Sequence, residues 1–117
     1  MPREKDLEVS LLLDFYGELL SPEKREAVRL YYDEDLSLAE IAGDTDITRQ
    51  GVRDRIEKAK CQLYIYEEKL GLAAKFHEID KELSDITARL ESVRDAADER
   101  TGREISTVIE RLKNITI

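Results

Sequence analysis

The chain has 117 residues, a net charge of −8, 39% charged residues and only 6% aromatics. That length holds one modest core, or a small core with an appendage, and the acidic balance argues against indiscriminate nucleic-acid binding. A single cysteine, Cys61, excludes an intramolecular disulfide and fits a reducing compartment. The charged start, Met1-Pro2-Arg3-Glu4-Lys5-Asp6, is unlike a signal peptide, and no apolar run of about 18 residues occurs. The expectation is a cytoplasmic protein with no membrane partner.

Residues 6–20 place Leu7, Leu11, Leu12, Phe15 and Leu19 at helical spacing, which predicts an amphipathic helix. Ser21 can cap a second helix with Pro22 in its first position, and Ala27, Val28, Leu30 and Tyr31 form its inner face. The acidic run Asp33-Glu34-Asp35 opposes the helix dipole and favours a stop. Ser37 and Glu40 form a capping box for a short third helix, with Leu38, Ile41 and Ala42 inward. Thr45 then takes the inward place in the connection. Asp46 stands at the tight-turn position, where Gly often supplies a left-handed backbone and Asp tolerates it. Thr48 caps a long fourth helix whose row Val52, Ile56, Ala59, Leu63, Tyr66, Leu70 steps 4-3-4-3-4 until Gly71 ends or bends it.

Beyond Gly71, Phe76, Ile79, Leu83, Ile86, Leu90, Val93 and Ala97 step 3-4 as a sustained heptad. The phase breaks at 98–102. Thr101 and Glu104 offer a capping box, and Ile105, Val108, Leu112 and Ile115 resume the stripe. Either one helix with a stutter or a helical hairpin fits, with the glycine and cap favouring the hairpin. The expectation is an all-α protein, with a helix-turn-helix domain over 1–70 and a helical extension over 71–117. Left alone, the extension's stripe is wet, so a homodimer is expected.

The run Leu20–Leu63 resembles the promoter-reading C-terminal region of bacterial sigma factors. The resemblance rests on Leu20-Ser21-Pro22-Glu23-Lys24-Arg25, Leu36-Ser37-Leu38-Ala39-Glu40-Ile41-Ala42 and Val52-Arg53-Asp54-Arg55-Ile56-Glu57-Lys58-Ala59. With Leu11-Leu12-Leu13-Asp14-Phe15-Tyr16 and Tyr66-Glu67-Glu68-Lys69-Leu70-Gly71-Leu72 added, the chain resembles the YlxM family of small helix-turn-helix proteins over residues 7–76. The resemblance implies an all-helical, winged-helix-like DNA-binding module and a regulatory link to the signal recognition particle pathway.

Charge distribution points the same way. Residues 1–44 sum to −7 and residues 71–117 to −2, whereas residues 49–60 sum to +3. A recognition helix offers its N-terminal residues to base edges. Arg49, Gln50 and Arg53 are the candidate base readers, Arg forking onto guanine and Gln onto adenine. Thr48, Arg55, Lys58 and Lys60 are candidate phosphate contacts. Gly51 inside this helix costs about 1 kcal/mol relative to Ala, and Asp54 would repel phosphate.

Lone His77 and Cys61 have no partners for metal or nucleophile chemistry, and Cys61 is expected to pack. Tyr31, Tyr32, Tyr64 and Tyr66 are expected in core and rim packing. No catalytic set, metal site or cofactor is expected. The partner is DNA, with RNA as an alternative. The competing reading is an interaction protein that contacts signal recognition particle components, whether protein or RNA, through its acidic face.

Overall fold

The computed structural model describes residues 7–115 and is all-α, with six helices and no strand among them. These are α1 (Leu7–Tyr16), α2 (Pro22–Val28), α3 (Leu38–Gly43), α4 (Arg49–Leu70), α5 (Leu72–Ala96) and α6 (Glu99–Lys113). They divide into two compact units, the first ending at Ala73 and the second beginning at Ala74.

In the first unit, α4 is the helix on which α1, α2 and α3 all pack. Its row Val52, Ile56, Ala59, Leu63 is buried, as the 4-3-4 spacing predicts. Val52 and Ile56 pack with Ala27 and Ile41; Ala59 and Leu63 pack with Val9, Leu12, Leu13, Tyr16, Leu20, Val28 and Ala73. Tyr66 is half-buried and Leu70 is exposed, so the row leaves the core one turn early.

The first helix is turned relative to the expected register. Val9, Leu12, Leu13 and Tyr16 are inward, while Leu7 and Leu11 are exposed. Residues 7–20 are apolar on more than one stripe, so spacing alone admits either face. The decision falls at Tyr16, whose ring and hydroxyl need the core, and at the tighter helical turn Gly17–Leu19 that follows. That turn leaves Leu19 exposed and brings Leu20 in.

Ser21 caps α2 by accepting from Lys24 N at 3.3 Å, with Pro22 in the first turn. Past Val28 the helix widens over Arg29–Asp33, where Glu34 N donates to Arg29 O at 3.1 Å. Arg29 pairs with Glu26 at 2.7 Å and Glu34 at 3.2 Å, and its guanidinium holds the Glu26 carboxyl below its ordinary range. The positive-φ non-glycine residue among those described is Asp35 (φ 56°), not Asp46. The left-handed step thus precedes the helix-turn-helix rather than lying inside its turn.

In the second unit α5 and α6 form a hairpin. Lys113 Nζ lies 3.9 Å from Glu91 Oε2, and Leu112 and Lys113 line one hollow with Leu83, Ser84 and Thr87. The turn is only Ala97–Asp98. Asp98 Oδ1 accepts from Thr101 N at 2.8 Å, so Asp98 is the N-cap and its carboxyl is held below the ordinary range by that bond. The expected Thr101–Glu104 capping box therefore does not form; both residues lie inside α6. Asp98 caps on its own third-position donor, Thr101 N, so the helix starts three residues sooner and the turn is shorter. Among the described residues, no helix is long and apolar enough to cross a membrane.

Candidate nucleic-acid interface

The helix-turn-helix is fixed at both helix starts. Glu40 N donates to Ser37 Oγ and Ser37 N to Glu40 Oε1, each at 3.0 Å, which is the predicted capping box. Thr48 Oγ1 accepts from Gly51 N at 3.0 Å and so caps α4, and Val52 N returns to Thr48 O at 2.9 Å. One orphan donor of α4 is thereby satisfied by the cap, and the first intrahelical bond closes on the same residue.

The turn between them departs from expectation. Ile47 is the residue that packs against the Ala27–Ile41–Val52–Ile56 cluster, and Thr45 is exposed. Thr45 Oγ1 donates back to Ile41 O at 3.2 Å, which satisfies the hydroxyl locally and removes any need to bury it. Thr45 and Ile47 line an apolar hollow of about 310 Å³ with Ala27, Leu30, Ile41 and Val52.

At about 100° per residue, the side of α4 opposite its core row carries Gln50, Asp54, Glu57 and Cys61, all exposed. Cys61 is therefore a surface thiol, contrary to the packed position expected of it. The candidate contacts divide around this ridge. Arg49 and Arg53 lie exposed on one flank, where Arg53 and half-buried Lys60 line a hollow with Tyr31 and Tyr32. Half-buried Arg55 and exposed Lys58 lie on the other flank, in a hollow with Ser21, Glu23 and Lys24. Gln50 stands on the ridge itself, with Nε2 donating to Asp54 Oδ1 at 3.1 Å. Thr48 uses its hydroxyl oxygen as the cap.

Two further residues border the candidate contacts. Glu57 stands on the ridge, between the flanks. Lys24 comes from α2, donates its Nζ to Gln62 Oε1 at 3.0 Å and lies beside Lys58. Only the packing of α2 on α4 brings that cation to the recognition helix. The tyrosines behave as expected: Tyr31 and Tyr32 meet edge to face at 5.0 Å, and Tyr16 and Tyr66 lie 5.9 Å apart.

Comparison with known proteins agrees with this architecture. Residues 3–102 match the family described as "Putative helix-turn-helix protein, YlxM / p13 like" (UPF0122). A UPF0122 protein of Listeria welshimeri is 38% identical over 112 residues, which cover 96% of this chain and 97% of that one. A UPF0122 protein of Desulforamulus reducens is 46% identical over 78 residues, 67% of each chain. One from Thermoanaerobacter sp. is 44% identical over 87 residues, 74% of each. The capped helix pair, and a match that runs through it along most of the chain, place this protein in the UPF0122 family of YlxM/p13-like helix-turn-helix proteins.

Proposed function

We propose that this protein is a DNA-binding regulator whose domain over residues 1–70 inserts the first turns of α4 into the major groove. One observation carries the reading. The start of α4 is capped by Thr48 and seated on the Ile41–Val52–Ile56 cluster, while Arg49, Gln50 and Arg53 are left exposed on its first turns. A rigid helix N-terminus with forked donors facing outward is what base readout needs. In this reading Arg49, Gln50 and Arg53 contact bases. Arg55, Lys58 and Lys60 neutralise phosphates, and Thr48, its oxygen engaged in capping, retains a hydroxyl proton for a phosphate oxygen.

The experiment is a titration of the full chain against fluorescent DNA from its own genomic neighbourhood, at low and near-physiological salt. Arg49→Ala and Arg53→Ala are each expected to weaken specific binding by about 1–3 kcal/mol, with helicity unchanged. Equal binding by the double variant removes these residues from the interface.

A second reading is favoured by Asp54 and Glu57, whose carboxylates occupy the outer ridge of α4. Two acidic groups there disfavour phosphate and favour a basic protein surface. In this version the module is an interaction domain, and the YlxM resemblance suggests signal recognition particle components as the target, a protein where the acidic ridge makes the contact and RNA where the basic flanks do. Capture of those components that is lost on charge reversal at Asp54 or Glu57, with no DNA binding at physiological salt, is its expected signature.

A further inference from the structure

The heptad of α5 is divided between two surfaces. Leu83 and Leu90 are half-buried on the side that meets α6, where Ile105 and Leu112 are half-buried and Ile109 is buried. Ile79, Ile86 and Val93, seven residues apart, are 38%, 39% and 55% exposed. On α6, Val108 is 47% exposed. At about 100° per residue, each exposed row sits roughly a quarter turn from its helix's hairpin-facing side, in the same rotational sense. Because the two helices run in opposite directions, the rows fall on one face of the hairpin.

We propose that a second copy of this chain covers that face, forming an all-antiparallel four-helix bundle whose two-fold axis passes near Ile86. The flanking charges select both the occupant and the direction. Beside the α5 row stand Glu82 and Arg89; beside Val108 stand Glu104 and Arg111. Each pair is seven residues apart and of opposite sign. Antiparallel pairing about Ile86 sets Ile79 opposite the second copy's Val93 and Glu82 opposite the second copy's Arg89, with every contact repeated by symmetry. The same operation lays α6 antiparallel over its own copy, with Val108 on the covered face. A parallel, in-register pair would put Glu82 level with Glu82 and Arg89 level with Arg89. The surface is thus complementary to itself in one direction only, and hairpin-on-hairpin packing is an established bundle geometry.

Sedimentation of the full chain across a concentration range tests this. The unsubstituted protein is a dimer. Ile86→Glu, at an exposed position, shifts the dimer constant by at least about a hundredfold while circular dichroism and melting of the chain are retained. Arg89→Glu weakens the dimer about tenfold and the double change Glu82→Arg/Arg89→Glu restores it. In a Cys61→Ser background, Ile86→Cys forms an intermolecular disulfide. Ile79→Cys alone does not, because its two copies lie 14 residues, about 21 Å, apart, whereas a mixture of Ile79→Cys and Val93→Cys chains cross-links. A monomeric unsubstituted chain, a dimer indifferent to Ile86→Glu, or self-cross-linking of Ile79→Cys overturns the proposal.

Discussion

Tyr16 Oη donates to Glu67 Oε1 at 2.6 Å, joining the last residue of α1 to the last full turn of α4. The same carboxylate oxygen accepts from Ala73 N at 3.0 Å, and Leu72 N donates to Tyr16 Oη at 3.0 Å. Between them Gly71 turns the chain at φ 62°, a conformation that costs an L-residue with a Cβ about 1–2 kcal/mol. Tyr16 and Glu67 therefore satisfy two orphan donors at the start of α5 and tie them to the end of α4. Tyr16→Phe keeps the ring in the core and removes only the hydroxyl. Because the acceptor is a carboxylate and Leu72 N loses its partner, the expected loss is about 1.5–3 kcal/mol. Chemical denaturation measures it; a loss within error of zero would show that water replaces the hydroxyl without cost.

The corner also makes stability depend on alkaline pH. Burial raises the Tyr16 phenol above its ordinary 10.0, and donation to Glu67 raises it further. A group whose folded pKa is raised contributes fully below its unfolded pKa and loses that contribution as pH rises through the folded value. Stability from Tyr16 is therefore complete below about pH 10 and falls above it, as phenolate is forced beside a carboxylate. The difference in unfolding free energy between the unsubstituted protein and Tyr16→Phe should hold from pH 9 to about pH 10 and shrink as pH rises above it to about pH 11. A constant difference across that range would mean that Tyr16 does not ionise in the fold.

Much of this was legible because it is local. The Ser37–Glu40 box, the Thr48 cap and the Val52–Leu63 row each follow from spacings of three and four residues, and the structure contains them. The register of α1 was not legible, since Leu7, Leu11 and Leu12 offer apolar residues to two faces and the choice is made by Tyr16 meeting a partner on α4. The cap of α6 was ambiguous for a different reason: Asp98 and Thr101 are both good caps three residues apart, and only the closing of the hairpin distinguishes them. The resemblance did single out the segments around Tyr16 and Glu67, but not that they bond to each other. In the candidate interface, spacing located the basic helix and sets Arg53 and Arg55 on opposite flanks of Asp54; it could not supply Lys24, which reaches α4 only through the packing of α2.

Two helical glycines separate propensity from packing. A Cβ on Gly102 in α6 would meet Arg94 O at 3.6 Å and Arg94 Cγ at 3.8 Å, both ordinary contacts. Gly102→Ala should therefore recover most of the helix-interior difference, about 0.5–1 kcal/mol of stability. A Cβ on Gly51 would meet Thr48 Oγ1 at 3.3 Å and Ile47 Cβ at 3.5 Å, pressing on the cap of α4. Gly51→Ala should gain less than Gly102→Ala or lose stability outright. Paired melting curves decide the order, and a larger gain at 51 would mean that the Thr48 cap yields without cost.

Asp54 gives the most direct test of which way the recognition helix faces. Its carboxylate lies on the exposed ridge of α4, holds the Gln50 amide at 3.1 Å and stands between the two basic flanks. Asp54→Asn removes the charge but keeps the acceptor for Gln50, so the helix start and its side-chain geometry are retained. If this ridge enters a groove, a charge about 4 Å from a phosphate in water is worth about 1 kcal/mol. The substitution should then tighten DNA binding about fivefold at low salt, with the gain shrinking as salt screens it. Lys58→Gln should act in the opposite direction, weakening binding to all sequences and lowering the salt slope by about one phosphate. Weaker capture by Asp54→Asn would instead mark the carboxylate as a contact to a basic partner and favour the interaction-domain reading.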